Sequence, residues 1–161
     1  MKLVADTGPI IALAKIGKLY WLEQLVDQVM IPPMVYKELL GKIGPEADVI
    51  ENSLKSFIKI SDLPRVEAEI QSVVSNLDEG EKQAIILAYH NLNDILLLID
   101  DRAGREIAYK LQIPITGLLG MFIKLKEKGK IRHVGSMIEQ LRQNGYWLSD
   151  EIVESAKKNG R

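Results

Sequence analysis

The sequence predicts an α/β protein with three layers, in which a mainly parallel central sheet is covered by helices on both faces. Short apolar runs that suit strands alternate along the chain with longer segments of helical periodicity, an order typical of parallel sheets. The clearest strand is the run 95–99, ILLLI. Five apolar residues are too few for a buried helix and suit a strand covered on both faces. A chain of 161 residues without a linker or low-complexity segment indicates a single domain over 1–161.

The first half of the chain is predicted to contain three strands separated by helices. Asp6-Thr7-Gly8-Pro9 is a turn sequence and ends the first strand. Apolar side chains then recur at helical spacing, with Gly17 as a break or bend, and Pro33 suits the first turn of the next helix. Alternation of apolar and polar residues over 57–60 favours a strand at a sheet edge. The predicted strands are 2–5, 29–31 and 57–60, and the predicted helices are 10–26, 33–40, 45–56 and 66–74.

The second half continues the alternation and ends in helices at about 134–158. Asp78 and Glu81 have the spacing of a capping box and start a helix that includes Ala84, Ile85 and Ala88. Another helix is predicted directly after Asp101. The remaining predictions are strands over 95–99 and 113–115 and helices over 118–128, 134–143 and 149–158. Basic residues are concentrated between Lys124 and Arg132, where they complement a helix dipole.

Composition excludes several classes of function. The net charge of −1 excludes a strongly basic nucleic-acid-binding surface, although a local basic face remains compatible with it. The absence of cysteine excludes disulfides, thiol nucleophiles and thiolate metal sites. His90 and His133 are too few and too isolated for a typical zinc site. With no signal-peptide core and no run of membrane-spanning length, we expect a cytoplasmic protein that does not bind membranes.

Acidic residues follow the predicted strands at the points where a functional site is expected. Asp6 and the pair Asp100-Asp101 come directly after two strands, Glu81 starts the helix that precedes the second of these strands, and Glu38 lies on a helix after another. The carboxyl ends of parallel strands meet at one edge of a sheet, which is where ligands bind. Each acid also has a structural explanation, as a turn residue, a helix cap or a solvated surface residue.

Converging carboxylates repel one another, and a hard divalent cation resolves that repulsion. Mg²⁺ or Mn²⁺ prefers oxygen ligands and suits phosphodiester hydrolysis. The sequence contains no Ser-His-Asp arrangement and no P-loop that would indicate another chemistry.

Five stretches resemble the PIN-domain family, and in particular a branch related to the VapC-type toxins of prokaryotic toxin–antitoxin pairs. They are LVADTGPIIALAKIGKL, IPPMVYKEL, LDEGEKQAIILA, ILLLIDDRAGREIA and IPITGLLG. The similarity covers nearly the whole chain in the right order, and the tail with Gly145-Tyr146 and Ser149-Asp150 also resembles that branch. The resemblance implies a PIN-like fold and an Mg²⁺- or Mn²⁺-dependent endoribonuclease that hydrolyses RNA.

The acidic positions of the family fall on residues of this chain that were singled out above. The catalytic residues implied are Asp6, Glu38, Glu81, Asp101 and Asp100. Of these, Asp6, Glu81 and Asp101 are expected to hold the metal ion with assistance from Asp100, and Glu38 is expected among the ligands or at the rim. Two departures affect the site: the third acid is a Glu, and the last strand ends in Asp-Asp instead of the common Thr-x-Asp pattern. We favour Asp101 because it aligns better with the x-Asp position.

The expected substrate is RNA, held through its phosphates. The candidate substrate-binding residues are Thr7, Arg102, Arg105 and Thr116. Thr7 would orient Asp6 or the scissile phosphate, and the arginines and the Lys124–Arg132 cluster would provide affinity without reading sequence. The chain has no aromatic-rich, RRM-like surface, so base stacking is not an evident mode of recognition.

The toxin-type resemblance also implies partners: a small antitoxin protein and a second copy of the chain in a homodimer. Segments 10–26 and 50–74 carry more apolar residues than a polar surface helix needs, which favours an interface. An antitoxin would lay an amphipathic segment into an apolar groove.

Two alternatives come from other functional classes. The first is a PIN-like domain without nuclease activity that acts as a binding or regulatory module. The second is a receiver-type phosphoacceptor domain, which needs two acids after the first strand and a Lys near the end of the last one. This chain has one acid after the first strand and Ile115-Thr116-Gly117 after the last.

Overall fold

The computed structural model describes residues 1–42, 44–146, 148, 153, 154 and 158. The strands in this part of the chain are β1 (Lys2–Ala5), β2 (Gln28–Ile31), β3 (Ile58–Ile60), β4 (Ile95–Leu98) and β5 (Ile115–Thr116). They form one sheet in the order β3-β2-β1-β4-β5, and every pairing is parallel. The predicted parallel sheet is confirmed, as is the edge position of the third strand.

Nine helices accompany the sheet within the described residues. They are α1 (Thr7–Lys15), α2 (Trp21–Leu25), α3 (Pro33–Leu40), α4 (Pro45–Ser56), α5 (Ala68–Val73), α6 (Glu79–His90), α7 (Arg102–Lys110), α8 (Leu118–Glu127) and α9 (Val134–Gln143). None of these helices has the length and hydropathy that a membrane span requires.

Side chains that alternate along the strands enter two separate cores, one on each face of the sheet. Leu3 and Leu98 belong to the core that packs against α1, α3, α4, α8 and α9. Val4 and Leu97 belong to the core that packs against α6 and α7. Both faces of the sheet are therefore covered, and the predicted three-layer architecture is confirmed.

The register of the central strands brings the ends of β1 and β4 together. Lys2 pairs with Ile95, and Ala5 pairs with Leu98. Beyond the last pair, the backbone N–H of Asp6 donates a hydrogen bond to the carbonyl oxygen of Leu98 at 3.0 Å. The residues that follow these two strands are therefore neighbours at the carboxyl edge of the sheet.

Most predicted elements agree with the structure, and the predicted helical segment 10–26 is divided into two helices around its predicted break at Gly17. α1 ends at Lys15, and α2 begins only at Trp21. Gly17, the predicted break, lies between them with a φ of 70°, a left-handed conformation that glycine adopts without strain. The predicted helices 33–40, 45–56 and 134–143 match α3, α4 and α9. The predicted helix 149–158 lies outside the continuously described residues.

The last strand is shorter than predicted and is shifted towards its carboxyl end. Pro114 has no N–H to donate to a sheet, and the N–H of Ile113 donates to the carbonyl oxygen of Ala108 at the end of α7. Only Ile115 and Thr116 form β5, which pairs with Leu97 and Leu98.

Candidate active site

Six carboxylates line one cavity of about 280 Å³ at the carboxyl ends of β1 and β4. We call this cavity the acidic pocket. Its lining residues are Asp6, Thr7, Gly8, Pro9, Glu38, Asp78, Glu81, Asp100, Asp101 and Tyr146. All five acids predicted from the sequence lie here, together with Thr7. The sequence did not predict Asp78 or Tyr146 as lining residues.

Asp6 is buried at the base of the acidic pocket, directly after β1. Burial raises the pKa of its carboxyl group to about 6, and the nearby negative charges of Asp78, Glu38 and Asp101 act in the same direction. The backbone N–H of Thr7 opposes this rise in the pKa without cancelling it. Because Asp6 follows a central strand, its carboxyl group is buried and binds a proton more tightly than an exposed aspartate does.

The start of α6 supplies two more acids. Oδ1 of Asp78 accepts a hydrogen bond from the N–H of Glu81 at 2.9 Å, so Asp78 caps the helix, as the sequence spacing predicts. The side chain of Glu81 is buried in the pocket. Burial and then the negative charge of Asp78 and of Asp101 raise its pKa. The cap is thus provided by Asp78, and the carboxylate of Glu81 is available to the pocket.

Glu38 reaches the acidic pocket from α3 and packs against the start of α6. A Cβ atom at Gly80 would overlap Oε1 of Glu38, so a larger residue at position 80 would force this carboxylate to move. Oε1 of Glu38 and Oγ1 of Thr7 are both buried without a well-formed hydrogen bond to any described residue. Burial and the charge of Asp78 raise the pKa of Glu38, an effect partly offset by the nearby Thr7 hydroxyl and Lys42.

The two adjacent aspartates after β4 have different surroundings. The carboxylate of Asp100 accepts hydrogen bonds from the hydroxyl of Tyr146, at 2.7 Å, and from the N–H of Leu118 at the start of α8, at 3.3 Å. Burial raises the pKa of Asp100, while these two donors and Arg105 oppose the rise. Asp101 is exposed and accepts a hydrogen bond from the N–H of Gly104 at 3.0 Å, which caps α7. Both aspartates nevertheless line the acidic pocket.

A larger cavity of about 1390 Å³ lies next to the acidic pocket and shares Asp100, Asp101 and Tyr146 with it. We call it the α7 cleft. Its lining residues are Asp100, Asp101, Arg102, Arg105, Glu106, Tyr109, Lys110, Ile115, Thr116, Gly117, Leu119, Gly120, Tyr146 and Leu148.

Three of the predicted substrate-binding residues line the α7 cleft instead of the acidic pocket. Arg105 donates from Nη1 to the carbonyl oxygen of Ile99 at 3.2 Å. Arg102 is almost fully exposed and contacts Glu106 through Nε at 3.3 Å. Thr116 is buried, and its hydroxyl donates to the carbonyl oxygen of Gly117 at 3.1 Å.

The Lys124–Arg132 cluster has no contact with either cavity. Lys124 and Lys128 line a separate cavity of about 430 Å³ near Met1 and Leu25. This location agrees with the interpretation that the cluster complements the C-terminal end of α8.

The donor chemistry of the acidic pocket fits a hard divalent cation. Its side chains offer oxygen ligands only, and Oε1 of Glu38 has no hydrogen-bond partner among the described residues. Burial raises the pKa values of Asp6 and Glu81, and the neighbouring negative charges raise them further. However, no three acidic or histidine side chains among the described residues are spaced as the ligands of one metal ion. Cation binding would therefore require these side chains to move closer together.

Residues 2–160 match the family model DUF3368, which is described as a PIN domain. The chain therefore belongs to the PIN-domain family, whose members are generally nucleases. Among solved structures, the chain is similar to a PilT N-terminus domain protein from the hyperthermophilic archaeon Sulfolobus solfataricus P2, with 16% identity and a TM-score of 0.48. The match covers 92% of this chain and 98% of the other. No curated protein matches the sequence significantly.

Proposed function

We propose that this protein is a metal-dependent endoribonuclease that hydrolyses RNA phosphodiester bonds. The observation that carries the proposal is the convergence of six carboxylates from four places in the chain on one small pocket. Such a concentration of negative charge is costly unless a cation compensates it. Membership of a family that consists generally of nucleases supports the same conclusion.

In the proposed site, Asp6, Glu81, Asp101 and Asp100 hold Mg²⁺ or Mn²⁺. When bound, such a cation lowers the pKa of water and stabilises charge on phosphate oxygens. The hydroxyl of Thr7 lies near Glu38 and forms no well-shaped hydrogen bond with a described residue, so it is suited to donate to a phosphate oxygen.

The proposal is tested by incubating RNA with the purified protein and Mg²⁺ or Mn²⁺. Cleavage should stop when EDTA is added, and Asp6→Asn should lower the rate steeply while its circular dichroism spectrum remains that of the wild type. Asp62→Asn is the matched control, because Asp62 is exposed and does not line the acidic pocket. Cleavage that persists at the same rate in EDTA would contradict the proposal. A folded protein that binds RNA without cleaving it would favour the alternative, a PIN-like domain without nuclease activity that acts as a binding module.

We further propose that the protein is the toxin of a toxin–antitoxin pair and forms a homodimer. A groove of about 330 Å³ between α3 and α4 supports a partner site, because Leu40 and Ile60 in its lining are 59% and 48% exposed. Glu38 and Leu40 lie on the same helix, but residues two positions apart point to different sides of a helix, so a partner bound in this groove would have to extend around α3 to cover the acidic pocket. Segment 10–26 gives no such support, because nearly all its large apolar side chains are buried or partly buried in the core.

The partner proposal is tested with the product of any small reading frame next to the gene. A cognate antitoxin should bind the wild type, inhibit RNA cleavage and weaken Mn²⁺ binding, and Leu40→Asp should reduce its affinity. A partner that binds tightly and leaves cleavage and Mn²⁺ binding unchanged would contradict occlusion of the pocket. Light scattering that shows only monomer would contradict the homodimer.

A further inference from the structure

One face of α7 forms a wall of the α7 cleft. Arg102, Arg105, Glu106, Tyr109 and Lys110 line this wall. Their spacing of three, four, seven and eight residues places them on a single side of the helix. Because α7 begins directly after Asp101, this face extends from the acidic pocket outwards. A ligand that occupies the pocket can therefore continue along α7.

Tyr109 is an unusual residue for this exposed position. Its side chain is 79% exposed, more than any other large hydrophobic side chain in the described part of the chain. It makes no hydrogen bond or ring contact with another described residue. Ile115, Leu119 and Leu148 contribute apolar surface to the same cleft. An exposed ring beside apolar walls suits the face of a nucleobase, because base stacking on aromatic side chains tolerates any sequence.

Basic side chains at both ends of the α7 face favour an anionic ligand. Lys110 forms no ion pair with another described residue, so its ammonium group is available to a phosphate. Arg102 is 94% exposed, and its contact with Glu106 is a solvent-exposed pair that contributes little energy. A phosphate could therefore replace Glu106 as the partner of Arg102 at small cost.

We propose that the α7 cleft binds single-stranded RNA next to the scissile phosphate, with one base stacked on Tyr109 and phosphates at Arg102 and Lys110. This inference rests on the proposed nuclease function, because it assigns the scissile phosphate to the acidic pocket. The cleft and the pocket share Asp100, Asp101 and Tyr146, which makes them continuous for a bound strand. A duplex would not use this site, because its bases are already stacked and their faces are covered.

The experiment measures binding in EDTA, so that the RNA remains intact. The probe is a short single-stranded oligoribonucleotide that contains 2-aminopurine, whose fluorescence falls when the base stacks on a ring. Tyr109→Ala should raise the Kd about 5- to 150-fold and abolish the protein-induced quenching. Tyr109→Phe should retain both properties, since it keeps the ring, whereas Tyr109→Leu should behave as Tyr109→Ala.

Two controls separate stacking from a general effect on the protein. Tyr20→Ala removes another exposed tyrosine, which lies outside both cavities, and should leave the Kd unchanged. A blunt-ended RNA duplex without a loop should bind Tyr109→Ala and the wild type equally. Equal losses for the paired and the single-stranded probe would overturn the assignment, because they would indicate damage to α7.

Failure of this inference can be distinguished from failure of the proposed function. Suppose that the wild type cleaves RNA with Mn²⁺ and that Tyr109→Ala binds the single-stranded probe as tightly as the wild type. The proposed stacking site at Tyr109 is then wrong, and the proposed nuclease function is still supported. If the wild type does not cleave RNA but binds the probe through Tyr109, the proposed nuclease function is wrong, and RNA binding in the α7 cleft is still supported. If the wild type does not bind the probe, the proposal that the α7 cleft binds single-stranded RNA is wrong.

Discussion

The hydroxyl of Tyr146 donates a hydrogen bond to Oδ2 of Asp100 at 2.7 Å and so connects the segment after α9 to the end of β4. The same carboxylate accepts the N–H of Leu118 at the start of α8. Burial and the negative charge of Asp100 raise the pKa of Tyr146, so its hydroxyl remains a donor across the physiological pH range. Asp100 is therefore held from two elements, while the one hydrogen bond that the side chain of Asp101 accepts among the described residues is the cap of α7.

Removal of this hydroxyl should destabilise the fold. Tyr146→Phe keeps the ring but leaves the buried carboxylate of Asp100 with one donor fewer, which should lower the free energy of unfolding by about 1–3 kcal/mol. Urea denaturation measures the effect, with Tyr20→Phe as the control at an exposed ring. An unchanged midpoint for Tyr146→Phe would mean that the hydrogen bond contributes nothing in solution.

The raised pKa of Asp6 predicts that this residue destabilises the metal-free protein at neutral pH. Its folded-state pKa of about 6 lies above the ordinary value of 3.8, so the folded state binds the proton more tightly than the unfolded state. Stability from this group is therefore present below about pH 4 and is lost as the pH rises through 6. In EDTA at pH 7.5, Asp6→Asn should be more stable than the wild type by about 2–3 kcal/mol.

Urea denaturation at pH 3.5 and pH 7.5 tests this expectation, and the advantage of Asp6→Asn should nearly disappear at the lower pH. Asp62→Asn serves again as the control, because Asp62 is exposed. If Asp6→Asn were less stable than the wild type at pH 7.5 in EDTA, the carboxylate would have a stabilising partner that the structure does not show.

Metal binding should reverse the effect of Asp6 on stability. A cation that binds only the folded state raises its stability, by about 2.7 kcal/mol at a free concentration one hundred times the Kd. Mn²⁺ should therefore raise the melting temperature of the wild type and not that of Asp6→Asn. The shift should be larger at pH 8 than at pH 6, because the cation competes with the proton on Asp6. Equal shifts in both proteins would indicate a metal site elsewhere.

Gly80→Ala should impair cleavage while the fold persists. Alanine at this position in α6 favours the helix by up to about 1 kcal/mol, but its Cβ would overlap Oε1 of Glu38 and force that carboxylate to move. If Glu38 accepts a proton in the reaction, the rate should fall by about tenfold or more. Gly8→Ala is the matched control, because Gly8 lines the same pocket and has no atom within 4 Å of an added Cβ. Equal rates in both variants would exclude this role for Glu38.

The features that can be predicted from the sequence are those with local determinants. Apolar runs and turn residues predict the parallel strands, and the rule that functional residues follow such strands predicts that Asp6 and Asp100 lie together. Pro33 at a first turn and the Asp78–Glu81 spacing predict the starts of α3 and α6. The order of the strands could not be predicted, because it depends on which crossover each connection makes.

The residues that were missed in the acidic pocket depend on tertiary packing. The spacing explained Asp78 fully as a cap, and nothing in the sequence indicates that this residue also lines a pocket with five other acids. Tyr146 follows α9, and no local pattern shows that this segment folds back onto Asp100. Tyr109 lies on a helix with an amphipathic pattern, but only the structure shows that its exposed face lies beside a cavity.

The central position of β1 determines when during synthesis the acidic pocket can form. Asp6 and Glu38 leave the ribosome early, but β1 acquires its second neighbour only when β4, beginning at Ile95, has been translated. Pairing between strands so distant in sequence is slow, because a long loop must close before any contact forms. If the protein is a ribonuclease, it would thus be unable to cleave the mRNA that encodes it until most of the chain had been translated.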